Sequence, residues 1–178
     1  LWCTKHQTAL AQAEIEDVRR TTTLNYVHFD LEDGKKIKIA TTRPELLPAC
    51  VGIFVHPEDE RYKDLVGKKA IVPLFGQKVP IMEDEKVEKE FGTGIVMICT
   101  FGDKTDIEWW KKHKLPLKDC ITREGKMKNA GKYDGLTLEE AKRKVIEDLD
   151  AEERITEKER LEQEVGTCWR CGTPIEFI

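Results

Sequence analysis

Alternating apolar and polar positions dominate the early part of the chain. Residues 21–31 (TTTLNYVHFDL) and 35–41 (KKIKIAT) are rich in β-branched and aromatic side chains. Asp33-Gly34 between them is a hairpin signal, so the pair predicts an antiparallel meander. Residues 50–55 (CVGIFV) and 95–100 (IVMICT) are continuous apolar runs and predict buried strands. Residues 69–75 and 77–82 flank Gly76 and predict a second hairpin, and 117–122 predict a further strand. Helical spacing marks residues 57–66, ended by Gly67, then 105–114, and then 138–149 (LEEAKRKVIEDL), with Thr137 as a cap. Residues 9–18 begin with helix formers and then alternate. Residues 83–90 read as a charged, solvated connection and 125–135 as a loop. Residues 151–164 fit either a solvated helix or an edge strand. Many short strands with a few flanking helices predict an α+β fold.

Composition narrows the classes of function. A chain of 178 residues supplies one domain, or one domain with a small satellite, and buries a proper core. Charged residues are 36% of it and the net charge is −4, which argues against a generic basic nucleic-acid binder. Lys111, Lys112, Lys114 and Lys118, and again Lys126, Lys128 and Lys132, form short basic clusters. These read as local RNA contacts or as solvated faces. No apolar run reaches bilayer length and no signal peptide opens the chain, so no membrane partner is expected. The chain runs from Leu1 to Ile178 in mid-pattern and reads as a piece of a longer protein.

The chemistry concentrates in FGTGIVMICTFGDKTDIEWW, residues 91–110. Gly92-Thr93-Gly94 lacks Cβ at two positions, so its backbone is able to approach a ligand closely. Asp103 and Asp106 stand three residues apart where a helix begins. Such carboxylates hold an ammonium group or orient a water; equally, one of them is an N-cap and the other complements the helix dipole. Upstream, Thr41-Thr42-Arg43-Pro44-Glu45 ends a strand. Two hydroxyls and a guanidinium there form a cradle for a phosphate or a carbonyl oxygen, or else a capping arrangement before a short helix that Pro48 interrupts. Cys99 has no histidine near it in sequence, and no Ser-His or Cys-His pairing is evident. A covalent hydrolase is therefore disfavoured, and water positioned against an ester fits better.

The six cysteines do not read as disulfides. Cys3-x2-His6 and Cys168-x2-Cys171, the second followed by Gly172, are two knuckles with ligand spacing that closes a tetrahedral Zn²⁺ site. Such a metal ties the two ends of the domain together. Hydrolysis by a positioned water calls for no cofactor.

The segment 91–110, together with Ala40-Thr-Thr-Arg-Pro-Glu45 and His56-Pro-Glu-Asp-Glu-Arg-Tyr62, resembles the editing domain inserted into valyl-tRNA synthetases. The similarity covers nearly all of the chain. It implies a closed or nearly closed β-barrel, and a strand rather than a helix over 151–164. Residues 9–165 then form the editing domain, and 1–8 with 166–178 are zinc-knuckle-like ends joining a parent synthetase. The implied activity is deacylation of threonyl-tRNA(Val) in the cytoplasm, by a monomer that meets the tRNA(Val) acceptor end. By position, Asp106 matches the aspartate that binds the substrate amino group, and Asp103 a second pocket aspartate. Arg43 matches an arginine near the terminal adenosine or its phosphate, and Phe91 an aromatic against that nucleotide. The threonine-rich segment, Thr41 and Thr42, lines the implied pocket, with Gly92, Thr93 and Gly94 opposite. Leu46 stands where bacterial valyl enzymes have threonine, and Met97 and Cys99 where they have lysine and threonine, which resembles an archaeal or eukaryotic-type pocket. His6 departs from the family's commonly all-cysteine knuckles. Isoleucyl enzymes read Thr-Thr-Thr-Pro-Trp at the first motif, and leucyl enzymes share Arg-Pro-Glu without HPEDERY. A zinc-containing tRNA-binding module without catalysis is the alternative from another class.

Overall fold

The structure, a computed structural model, describes residues 1–178. Strands β1 (Trp2–Cys3) and β2 (Thr8–Ala9) form a small ribbon. Strands β3 (Ile15–Leu31), β4 (Lys36–Thr41), β5 (Cys50–Val55), β6 (Lys69–Ile71), β7 (Lys78–Glu83), β8 (Val96–Cys99) and β9 (Ile155–Cys168) build one curled sheet. Its order is β4-β3-β6-β7-β5-β8, with β9 paired to β3. Helices α1 (Lys104–His113) and α2 (Leu138–Ala151) pack on it. The fold is α+β and the sheet is a half-barrel rather than a closed one. No ladder joins its end strands β4 and β8.

The predicted meander is present, with β3 and β4 antiparallel from Asn25↔Thr41 to Asp30↔Lys36. Alternation puts Val27, Phe29, Leu31, Ile37 and Ile39 into the main core. There they meet Ala141, Val145 and Leu149, one stripe of α2 at every fourth residue. Helix α2 begins as the sequence predicts. The Thr137 hydroxyl accepts the Glu140 N–H at 3.2 Å, and the Glu140 carboxylate accepts the Thr137 N–H at 2.9 Å. Strand β5 is buried along its whole length because a second, smaller core covers its other side. In that core Phe54 stacks on Trp109 of α1 with ring centroids 5.2 Å apart.

Several expectations are corrected. Residues 57–66 form no amphipathic α-helix but a 3₁₀ turn, Glu60–Leu65, capped by Asp59. Residues 117–122 form no strand; only a bridge links Ile121 to Met127. The connection 83–90 is not fully solvated, since Asp84 and Val87 are buried. Burial would raise the Asp84 carboxyl, but bonds from Lys112 Nζ at 2.6 Å and His113 Nε2 at 2.9 Å overcome it and hold the group charged. The ambiguous segment 151–164 is strand from Ile155 onward, with Ala151 closing α2. Strand β9 pairs antiparallel with β3 from Ile15↔Cys168 to Val27↔Ile155. No helix is long and apolar enough to cross a membrane.

Candidate active site

A cavity of about 530 Å³ opens between the end of β4, β8, the start of α1, residues 163–166 of β9 and the C-terminal tail. Its size falls within the usual range for small-ligand pockets. Asp103, Asp106, Thr41, Thr42, Arg43, Leu46, Phe91, Met97 and Cys99, all singled out from sequence, line it together.

The two aspartates divide the roles that the sequence left open. Asp103 is the N-cap of α1, its Oδ1 accepting the Asp106 N–H at 2.8 Å, and it also faces the cavity. Asp106 is buried, and its Oδ2 accepts the Cys99 N–H at 3.2 Å. Burial, and after it the neighbouring charge of Asp103, push the Asp106 carboxyl up to about 8, against the opposing Cys99 N–H, Arg43 and Gly102 N–H. Burial thus favours the neutral carboxyl, and a cation bound beside it would favour the ionised form.

Arg43 lines the cavity but is no open cradle. Its guanidinium is bonded to Glu45 at 3.1 Å, to the Gly102 carbonyl at 3.3 Å and to Glu176 at 2.9 Å. Burial works against its charge, and the carboxylates of Glu176 and Glu45 more than compensate, so it stays protonated. Thr41 turns its hydroxyl inward to accept the Arg43 N–H at 3.0 Å, a local turn rather than a free ligand group.

Gly92, Thr93 and Gly94 are not cavity residues, contrary to the reading of a backbone bared to a ligand. They cross the open seam of the half-barrel instead. The Thr93 hydroxyl donates to the Lys38 carbonyl of β4 at 2.6 Å. Gly92 has φ +56°, and a Cβ there would meet the Ala40 Cβ at 2.7 Å. A Cβ on Gly94 would meet Arg61 Nη2 at 2.7 Å and the Lys89 carbonyl at 2.8 Å. Arg61 is in turn fixed by Asp59 at 2.8 Å, and the Tyr62 hydroxyl donates to the Thr93 carbonyl. The 56–62 motif thus buttresses the glycine turn, which seats Phe91, half exposed, on the cavity rim.

Cys3, His6, Cys168 and Cys171 come together as expected, their donor atoms all within 4.8 Å of one another. Cys3 Sγ lies 3.7 Å from Cys171 Sγ and 3.7 Å from His6 Nδ1, and Cys168 Sγ lies 3.9 Å from His6 Nδ1. Two thiolates bound at about 2.3 Å to one tetrahedral zinc stand about 3.7 Å apart, so this donor set fits such an ion.

Sequence reasoning missed Trp109, residues 163–166, and the tail residues Ile175 and Phe177 as cavity walls, and Glu176 as the partner of Arg43. The only signal for the tail was the knuckle at Cys168 and Cys171, which turns the chain back toward the cavity.

A profile of the family described as "Leucyl-tRNA synthetase, editing domain" matches residues 56–150. The valine–tRNA ligase of Methanocaldococcus jannaschii is 58% identical over 99% of this chain and 20% of its own length. Those of Methanosarcina barkeri and Methanopyrus kandleri are 55% and 52% identical, again over 99% of this chain and 20% of their own lengths. The chain thus spans about a fifth of the curated relatives it matches. A crystal structure described as the ternary complex of an Agrobacterium radiobacter LeuRS with tRNA and LeuAMS aligns with TM-score 0.60 and 21% identity. It covers 92% of this chain and 25% of that one, a likeness of fold.

Proposed function

Given that the chain belongs to the aminoacyl-tRNA synthetase editing-domain family, as the editing domain of a valyl-tRNA synthetase, we propose that it hydrolyses the ester of threonyl-tRNA(Val). The observation that carries this reading is the buried Asp106 carboxyl, paired with Asp103 at the wall of a cavity of about 530 Å³.

The substrate's α-ammonium replaces the proton on Asp106 and pairs with its carboxylate. Asp103 adds negative charge beside it and orients the attacking water. The Thr42 hydroxyl, which also lines the cavity, is the donor for the ester carbonyl. Water adds to the carbonyl carbon, and the bond from that carbon to the ribose oxygen breaks. One water proton passes to the ribose oxygen, leaving threonine and free tRNA. The rate gain comes from orientation and from fixed charge in a partly dry cavity. Valine and threonine differ by a methyl and a hydroxyl, a distinction an apolar synthetic site makes only about 10²-fold, so a second site that accepts the hydroxylated product is needed. The acceptor end of tRNA(Val) and the remainder of a parent synthetase are the partners this reading calls for.

The Cys3–His6–Cys168–Cys171 cluster holds a structural zinc in this reading, closing residues 1–8 against 166–178, a segment that also gives the cavity Gly166, Ile175 and Phe177. With all four positions filled by protein it supplies no open site for catalysis.

The test is hydrolysis of threonyl- and valyl-tRNA(Val) in parallel. Loss of the threonyl ester with the valyl ester spared supports the proposal. Binding of tRNA with neither ester hydrolysed replaces it by a non-catalytic tRNA-binding module.

A further inference from the structure

Arg43 lines the cavity half-buried, with its guanidinium committed to other protein groups. Its Nε donates to Glu45, its Nη1 to the Gly102 carbonyl, and its Nη2 to both oxygens of Glu176, at 2.9 and 3.1 Å. Glu176 is buried, and its backbone is fixed by two bonds to Trp2, at 2.8 and 3.0 Å. The residues on either side of it, Ile175 and Phe177, are cavity walls. A guanidinium already committed to two carboxylates is poorly suited to clamp a phosphate. It does hold three segments in register: the turn after β4, the tail, and the loop into α1.

The third of these bears on the chemistry. A Cβ on Gly102 would stand 2.5 Å from Asp106 Oδ2, so the two residues are in close contact. The Gly102 N–H is bonded to the Cys99 carbonyl at 2.6 Å, and the Cys99 N–H to Asp106 Oδ2. A displacement of the Gly102 carbonyl therefore displaces the Asp106 carboxyl.

We propose that Glu176 is a positioning residue for the deacylation: its carboxylate holds Arg43 against the Gly102 carbonyl and so fixes where Asp106 stands. The inference rests on the functional reading above. Glu176 touches no substrate and acts through Arg43. The groups facing Asp106 are Asp103 at the start of α1, the Cys99 N–H of β8, the Gly102 N–H of the loop, and Arg43 from the turn after β4. With Glu176 present, the charge of Arg43 is shared between two glutamates. Without that carboxylate, more of it acts on Asp106 and favours the ionised form.

The experiment compares the parental protein with Glu176→Gln and Glu176→Asp. It reads kcat and KM for threonyl-tRNA(Val), and the titration midpoint of the Asp106 carboxyl by carbon NMR. In Glu176→Gln, kcat falls by about tenfold or more with KM little changed, since misplacements of about 1 Å cost up to ~10² in rate. The Asp106 midpoint falls by about one pH unit, the low end of what an opposite charge nearby produces. Glu176→Asp, which keeps the charge on a shorter arm, restores the midpoint and part of kcat. It also carries the test if the glutamine variant folds poorly. A parental midpoint and parental kcat in folded Glu176→Gln overturn the inference. If the parental protein hydrolyses no threonyl ester, the functional reading fails instead, and the midpoint still decides whether Glu176 governs Asp106.

Discussion

Asp103 caps the backbone of Asp106 at 2.8 Å, while the carboxyl of Asp106 turns away from that bond to take the Cys99 N–H at 3.2 Å. One aspartate thus builds the helix start, and the other is left buried, lifted and facing the cavity.

The first consequence concerns rate. Asp106→Ala removes the anchor for the substrate amine and lowers hydrolysis of threonyl-tRNA(Val) by about 10²–10³, the usual loss when one fixed electrostatic partner is deleted. Single-turnover deacylation with saturating enzyme measures it, and a parental rate would remove Asp106 from the mechanism.

A second consequence concerns stability against pH. The Asp106 carboxyl ionises near 4 when unfolded and at about 8 when folded, so the folded state binds the extra proton between those values. Its contribution is present at low pH and is lost as pH rises toward 8. The cost is on the order of a few kcal/mol at pH 9 relative to pH 5. Asp106→Asn, neutral throughout, is expected to lose less stability than the parent over the same interval. Urea unfolding of both proteins at pH 5 and pH 9 gives the comparison.

Glycine positions separate strain from crowding. Gly34 has φ +86° with open space around it, whereas Gly92 has φ +56° and the Ala40 Cβ in its way. Gly34→Ala carries only the backbone cost of about 1 kcal/mol. Gly92→Ala adds a steric clash and is expected to cost about 2–4 kcal/mol. Thermal melts of the two variants, run side by side, check the ordering.

Metal removal should be felt in the cavity. Cys168→Ser, or treatment with a strong chelator, unties the knuckle from which Ile175, Glu176 and Phe177 return to the cavity wall. The expected outcome is loss of about one zinc per chain by elemental analysis, a lower melting temperature, and faster proteolytic clipping after Gly172. An untreated chain without metal, and with the same melting temperature as the treated one, contradicts it.

What was legible in the sequence was local. Asp33-Gly34 located the first hairpin and Thr137 with Glu140 located α2, because those signals lie within a few residues of the structure they specify. The charged segment 151–164 was ambiguous because its partner, β3, begins at Ile15, far back in the chain. The glycines at 92 and 94 read as backbone bared to a ligand, but the groups that crowd them are Ala40, Arg61 and Lys89, and nothing local identifies those. Arg43 read as a free cation because Glu176 lies 133 residues away in sequence. The site's inventory was visible, whereas its internal pairings needed the fold.

Helix α1 is a short rod of about 15 Å, from ten residues at ~1.5 Å each. Its far end is bolted to the sealed Asp84 by Lys112 and His113, and its middle bears on Phe54 through Trp109. Its near end carries Asp106, the carboxylate proposed to meet the misloaded amino acid. A pivot so arranged converts any slackening at the remote bolt into a change of aim, so the proposed fidelity is open to tuning from Asp84, at the opposite end of the helix.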